Sequence, residues 1–515
     1  IFSSFGEIMR LFCKRFCVFA LIFTALAAFS PLSAQETTDA DSNFNLPVVE
    51  KVLQNGLTVL ILERPGVPVV SFSLMQPVGA QDAPKGKTGL PHMLEHMMFK
   101  GTETVGTLSY AKEKPILDEM DKVAQETNDE NEKLQPSTER LKALADQMEK
   151  LEQEHHQVVV KDELSAIYTQ NGGQSLNAWT SQDATNYTIT LPANKFNLYA
   201  TIEQDRLSHP VFREFYSERN VVAQERRWRT ESNPEGKLSE ALESTAFSAS
   251  PYKDPAIGWM SDIMKLMRPD AEAFYHQTYR PDQGVLAIVG GVQAKDIIPI
   301  LEKTLGQVPN PTVPPLKKNW TKEPPQEGQK TVHVYFDADP MVMMGWHMPN
   351  FPHADGLALD VLSDILTTGN TSRLMQHLLF GKKLVTSIST ETGFPGDRSP
   401  NLFVLSFNPA PGHSADSIVS AIDAEIADIQ NNGVTQAELD RARRNIESAF
   451  LWGKISTSDL AQDLAYNQAV HGDWRYVTRY MDMVRALTPD DIKKVAAEYL
   501  TSENRTIAYL ERPAK

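Results

Sequence analysis

Residues 308–328 hold seven Pro or Gly in 21 positions, including the adjacent pairs Pro314-Pro315 and Pro324-Pro325. So many fixed φ angles and missing N–H donors deny this stretch a helix or a sheet ladder. It reads as a semi-stiff linker, so the 515 residues are expected to fold as two large halves rather than around one core.

The halves open alike. The first has strand signals at 48–53 and 58–62 about an Asn55-Gly56 turn, then at 69–75. A helix over 88–100 follows and is ended by Gly101. The second has strands at 332–336 and 341–347 and a helix over 356–366 ended by Gly369, which suggests a duplicated strand–strand–helix unit. Further strands are expected at 176–180, 186–191 and 286–290, the last of the fully buried type. Helices are expected around 194–207, 214–231 and 236–247, and again up to Leu305. The implied fold class is α+β: two homologous domains, each a mixed β-sheet with helices packed on one face. The N-terminal domain spans 35–307, the linker 308–328 and the C-terminal domain 329–515.

Residues 111–161 fit neither copy. They are highly charged and helix-favouring, with Leu141, Leu144, Met148 and Leu151 at a/d heptad spacing. Ile116, Met120 and Val123 supply a facing stripe, and Ser137 can cap the second helix. The pattern predicts an antiparallel helical hairpin inserted in the first domain and projecting from it. Composition by itself gives that arm no role beyond a solvated surface.

Charge narrows the partners. Lys and Arg number 50 against 66 Asp and Glu, a formal net charge of −16, which argues against nucleic acid or an anionic membrane as the main partner. Both cysteines, Cys13 and Cys17, lie in a segment with the layout of a secretory signal. Arg10, Lys14 and Arg15 precede an uncharged apolar run over 16–29, and Leu32-Ser33-Ala34 offers a small-residue cleavage site. Removal of 1–34 would leave an acidic chain without cysteine, as suits a bacterial periplasm, with no stable membrane insertion.

The chemistry concentrates in Gly89-Leu90-Pro91-His92-Met93-Leu94-Glu95-His96-Met97-Met98. His92 and His96 are four apart, one helical turn, and can offer two imidazoles to one metal ion. Glu95 sits beside them, able to accept the proton of an activated water and pass it to a leaving amine. The pattern arises by chance about 0.02 times in a chain of this length and composition. The apolar neighbours also imply a mostly buried helix, where two imidazoles and a carboxylate need a partner. Zinc, one per chain, suits such ligands, but two histidines leave it one protein ligand short. Glu218 and Glu225 are seven apart on a predicted helix, so both share a face. One can bind the metal while the other orients a ligand.

The inverted His-x-x-Glu-His motif followed by Glu-x6-Glu resembles the pitrilysin/insulinase-like zinc peptidases, particularly the two-domain branch that includes mitochondrial processing peptidase subunits. Gly172-Gly173-x-x-Leu176-Asn177-Ala178-Trp179-Thr180-x-x-Asp183-Ala184-Thr185, Gly258-Trp259 and Tyr279-Arg280-Pro281 extend the resemblance over most of the chain. It implies that Glu225 is the third zinc ligand and that Glu218 supports the site from behind the ligands. Family members place this ligand some 76 residues after the second histidine. Here the gap is 225 − 96 = 129, and the excess of about 53 matches the hairpin. The resemblance also makes Asn177, Ala178, Trp179 and Thr180 an edge strand to which substrate peptide adds. It makes Arg373, in Ser372-Arg373-Leu374, a substrate contact whose Tyr partner, thirteen residues on, is here Thr386. A sister subunit carrying the Arg/Tyr pair, in a heterodimer, or else a homodimer, is the implied partner.

The expected activity is therefore zinc-dependent endopeptidase action on peptides or unfolded segments enclosed between two domains. The alternative is a catalytically weak subunit that holds peptides for a partner. Other residues read plainly: His155-His156 point apart on a helix, His209 marks a turn, and Trp259 and Trp346 pack cores.

Overall fold

Asn55-Gly56 turns the chain, with Gly56 at φ +92° where side chains other than glycine are rarely tolerated. Strands β1 (Val48–Val52) and β2 (Thr58–Glu63) pair antiparallel across it. The structure, a computed structural model, describes residues 46–318 and 320–513. The signal expected over 1–34, with both cysteines, lies outside the described residues.

The first half adds β3 (Val69–Gln76), β4 (Gln174–Thr180), β5 (Thr185–Pro192) and β6 (Val285–Gly290). These six strands lie in the order β1-β2-β6-β3-β5-β4, with β2 and β6 parallel and all other neighbours antiparallel. The second half supplies β7 (Lys330–Tyr335), β8 (Met341–Met348), β9 (Val385–Phe394), β10 (Asn401–Pro409) and β11 (Arg505–Glu511). Their order is β7-β11-β8-β10-β9, with β7 and β11 parallel and the rest antiparallel. Without β1, the two sheets match strand for strand in order and sense. The duplication hinted at by sequence is written in the topology.

Ten helices accompany the first sheet among the described residues: α1 (Leu90–Met97), α2 (Tyr110–Asn131), α3 (Thr138–His156), α4 (Glu163–Gln170) and α5 (Phe196–Ser208), then α6 (Phe215–Arg226), α7 (Pro234–Ala246), α8 (Met260–Ile263), α9 (Arg268–Thr278) and α10 (Ala294–Lys303). Six follow in the second half: α11 (Ala354–Thr367), α12 (Ala415–Asn432), α13 (Gln436–Gly453), α14 (Thr457–Val470), α15 (Tyr476–Ala486) and α16 (Pro489–Tyr499). Among the described residues no helix is long and apolar enough to cross a membrane.

Every residue of β6 is buried, which requires cover on both sheet faces. One face meets the main core through Leu286 and Ile288, packed with α1, α5 and α9. The other, through Val285, Ala287 and Val289, is covered by Leu460, Ala461, Leu464 and Ala465 of α14, a helix from the other half. The exchange is mutual: Leu238, Leu242 and Ala246 of α7 pack on Met343, Leu402, Val404, Ala508 and Leu510 of the second sheet. Each exchanged helix thus buries two leucines completely, about 1.5–3 kcal/mol apiece in apolar transfer. The described residues all fall within one compact unit.

The linker has no helix or strand among its described residues, but it is pinned. Glu323 accepts backbone N–H bonds from Ser248, Ala249 and Ser250, and Arg280 donates to the carbonyls of Pro311 and Val313. The hairpin forms as α2 and α3, with Ser137 Oγ accepting from Arg140 N–H. It is not a free projection. Leu117, Met120 and Ala124 enter the main core, and buried Glu113 joins His155 of α3 to Arg213 beside α6.

A candidate metal centre at the junction of α1, α6 and β4

Helix α1 is held at its start by two glycines back to back. Gly89 (φ +81°) and Gly258 (φ +87°) touch through their main chains, and a Cβ on Gly258 would lie 2.4 Å from Gly89 N. Only hydrogen fits there. Thr88 Oγ1 adds a bond to Asp262 (2.7 Å) and accepts from the N–H of Trp259 (2.9 Å). Pro91 occupies the first turn, where no N–H is needed. Leu90, Met93, Leu94 and Met97 are buried, so the helix cannot turn about its axis and its polar stripe is fixed. That stripe carries His92, Glu95 and His96. Opposite it, α6 is anchored by buried Phe215, Tyr216, Val222 and Ala223 and presents Glu218 and Glu225 two turns apart.

Glu225 Oε2 lies 3.7 Å from His92 Nε2 and 3.5 Å from His96 Nε2. Ligand bonds of about 2.0–2.1 Å in a tetrahedral zinc site imply ligand–ligand separations near 3.4 Å. The three donors stand close to that spacing. They form the one group of three possible ligands found within 4.8 Å of one another among the described residues. The electrostatics agree. Burial, helped by His96, lowers His92 to about 3, so it is neutral with a lone pair to offer. His96 is pushed to about 9: burial opposes its charge, but Glu218, Glu225 and Glu95 overcome it. Glu218 and Glu225 are held at about 2 despite burial, by the histidines and by Lys100 and Arg229. A pocket that draws a proton onto an imidazole between two ionised carboxylates suits a divalent cation in that place.

The supporting contacts are specific. Glu218 Oε2 lies 3.3 Å from His96 Nδ1, and its other oxygen accepts from Lys100 Nζ, which also reaches Glu214 at 3.0 Å. Arg229, in the π-helical turn Arg227–Glu231, bonds Glu225 Oε1 at 2.8 Å. Thr180 Oγ1 donates to Glu95 Oε2 at 2.6 Å, while burial raises the Glu95 carboxyl.

The structure brings His92, Glu95, His96, Glu218, Glu225 and Thr180 together. Asn177, Ala178 and Trp179 lie with Thr180 on β4, the outermost strand of the first sheet. Trp179 Nε1 donates to Gln462 of α14 at 3.1 Å, tying that strand to the exchanged helix. Arg373 makes its contacts elsewhere, with Glu438 (2.9 and 3.0 Å) and Asp428 (2.8 Å). Thr386 lies on β9, the edge of the second sheet that matches β4. Lys100 and Arg229 were not singled out from sequence. Each stands four residues after a candidate ligand, the helical spacing that would have found them.

Comparison with known proteins finds two matching family models. "Insulinase (Peptidase family M16)" matches residues 58–114 and 138–258. "Peptidase M16 inactive domain" matches residues 265–446. The break in the first match falls within the hairpin. Zinc protease PqqE of Helicobacter pylori is 30% identical over 475 residues, covering 90% of this chain and 93% of its own. The crystal structure of a protease from Helicobacter pylori has a TM-score of 0.75 and 26% identity, over 91% of this chain and 100% of that one. The periplasmic protease PqqL from Escherichia coli has a TM-score of 0.67 and 15% identity, over 90% of this chain and 48% of that one.

Proposed function

This chain belongs to the insulinase family of peptidases (peptidase family M16), and from that premise we propose that it is a zinc-dependent endopeptidase acting on peptides or unfolded segments. The observation that carries the reading is the convergence of His92, His96 and Glu225 at near-tetrahedral spacing with Glu95 beside them. His92, His96 and Glu225 would hold one zinc ion. When bound, zinc supplies a Lewis acid and lowers the pKa of water at this position.

The chain's own groups do the rest. Glu95, its Oε2 held by Thr180, accepts a proton from the attacking water and returns it to the departing amine. Glu218 keeps the His96 ring oriented through Nδ1, and Lys100 keeps Glu218 ionised. The outer edge of β4, unpaired among the described residues, offers main-chain groups to which an extended peptide adds as a further strand, contacting Asn177, Ala178 and Trp179. Recognition through main-chain groups tolerates many sequences and requires unfolded substrate.

The same reading takes 35–307 as the metal-bearing domain and 329–515 as its homologue without a metal. It places the protein in the periplasm, the location stated for the Escherichia coli structural neighbour. The pairing of Arg373 with Glu438 and Asp428 and the Thr at 386 favour full activity only when a second chain supplies the missing groups, in a heterodimer or homodimer. Glu95→Gln tests the core claim: zinc content stays at one per chain while peptide hydrolysis falls at least 100-fold. Hydrolysis that persists in the zinc-loaded variant refutes it.

A further inference from the structure

Far from the metal cluster in sequence, the second half carries a half-open cavity of about 360 Å³ between α11, α13, α14, α15 and the β9–β10 turn. Its wall is aromatic. Phe351 stacks edge-on against His471 and Tyr476 (4.9 and 5.1 Å between ring centres), with Tyr480 and Tyr466 completing the cage. Two carboxylates enter this wall. Asp360 is held by Thr392 Oγ1 (2.9 Å) and by Tyr480 OH, and Asp397 Oδ2 accepts from Tyr466 OH at 2.8 Å. Those donors are all neutral. Among the described residues neither Asp360 nor Asp397 has an ion-pair partner. Arg398, next along the chain, pairs instead with Asp82 and bonds the carbonyl of Asp183.

Three further observations define what would fit. Asn401 is 1% exposed and lines the cavity; among the described residues its Oδ1 has no hydrogen-bond partner, while its Nδ2 donates to the Gly396 carbonyl. A buried acceptor left open calls for a donor. The lysine on the wall, Lys454, lies 4.8 Å from the Phe450 ring centre and is paired with Asp463, so this wall already seats one ammonium on an aromatic face. His471 is lowered to about 4 by burial and by Arg398, so it brings no charge of its own. Burial pushes the Asp397 carboxyl up to about 6, still below neutrality, so this acidic wall disfavours an anion. A bare metal ion is disfavoured because both oxygens of Asp360 are already taken by hydroxyl donors.

We propose that this cavity binds a small organic ammonium: an amine on a short apolar chain, its charge facing Asp360 and Asp397, an N–H reaching Asn401 Oδ1, and its chain against Phe351 and Tyr476. The chemistry is that of an aromatic cage closed by carboxylates, in which cation–π attraction and charge pairing act in a partly dry space.

Isothermal titration of the purified full chain with 1,5-diaminopentane, and with 1,5-pentanediol as its uncharged counterpart, tests this directly. The diamine should bind one per chain and at least ten-fold more tightly than the diol. A metal chelator should not change the result, because the site is separate from the zinc ligands. Asp397→Asn keeps the bond from Tyr466 but removes the charge, and should weaken the diamine at least ten-fold. Absence of diamine binding, equal binding of diol, loss on chelation, or full affinity in a folded Asp397→Asn protein would each overturn the proposal. The diol comparison uses the unaltered chain and stands even if the variant fails to fold.

Discussion

Replacing Glu218 by Gln separates ligation from support at the metal centre. The carboxylate serves two donors at once: His96 Nδ1 at 3.3 Å and the Lys100 ammonium. A carboxamide has one acceptor oxygen. If that oxygen stays with Lys100, the NH2 group faces the ring N–H of His96, donor against donor. If it turns to His96, Lys100 retains only Glu214. Either way the imidazole loses the negative partner that fixes its tautomer and raises its basicity. Removing such a partner typically weakens metal binding 10–100-fold, about 1.4–2.7 kcal/mol. Zinc affinity measured near neutral pH by competition with a chromophoric chelator should fall within that window, with far-UV circular dichroism unchanged. Glu225→Gln, which removes the proposed third ligand, should fall well beyond it. Unchanged affinity in Glu218→Gln, or equal losses in the two variants, would refute the division of roles between these glutamates.

Thr180→Val removes the 2.6 Å bond to Glu95, a hydrogen bond to a charged group, and should lower kcat about ten-fold with zinc content intact. Leu242→Ala empties a fully buried site where α7 packs on the second sheet, costing about 3–5 kcal/mol. Because the halves share helices, denaturant unfolding should still show one transition; two separated transitions would contradict the shared core. Glu113 is buried, and burial alone would raise it, yet His155 and Arg213 hold it at about 2. A depressed folded pKa stabilises above the unfolded value of about 4.5 and loses that contribution as pH falls from there through about 2. Glu113→Gln should flatten the acid limb of the stability profile and cost about 3–5 kcal/mol near neutrality, by stranding Arg213.

How much of this was legible beforehand depended on whether the information was local. His92, Glu95 and His96 are set by one turn of helix, and spacing alone displays them. Glu225 is 129 residues from His96, so only family resemblance could choose it over Glu218. The exchanged helices show why the rest was hidden. Leu238 and Leu242, like Leu460 and Leu464, announce a buried face by their helical period, but a period names no partner. Nothing local says that the partner lies across the linker, so helices on one face of each sheet was all that the pattern supported. The hairpin forms as its heptads predict, but its docking on the core was hidden in the same way. Heptad spacing paired α2 with α3, whereas the burial of Leu117 and Ala124 in the main core depends on the surface underneath. Resemblance makes Arg373 a substrate contact, and its present partners Glu438 and Asp428 lie 65 and 55 positions away, beyond the reach of any local pattern.

The reciprocal loan of α7 and α14 bears on how such a chain can be divided. A nick in the linker would leave two fragments that still grip one another, since parting them would strip a sheet of its lid on each side. Either fragment made alone would display a bare greasy slab and clump. Gene fission at that point is therefore tolerable only if both products are synthesised together, and a dominant-negative fragment would work by offering its lone helix to the wrong mate.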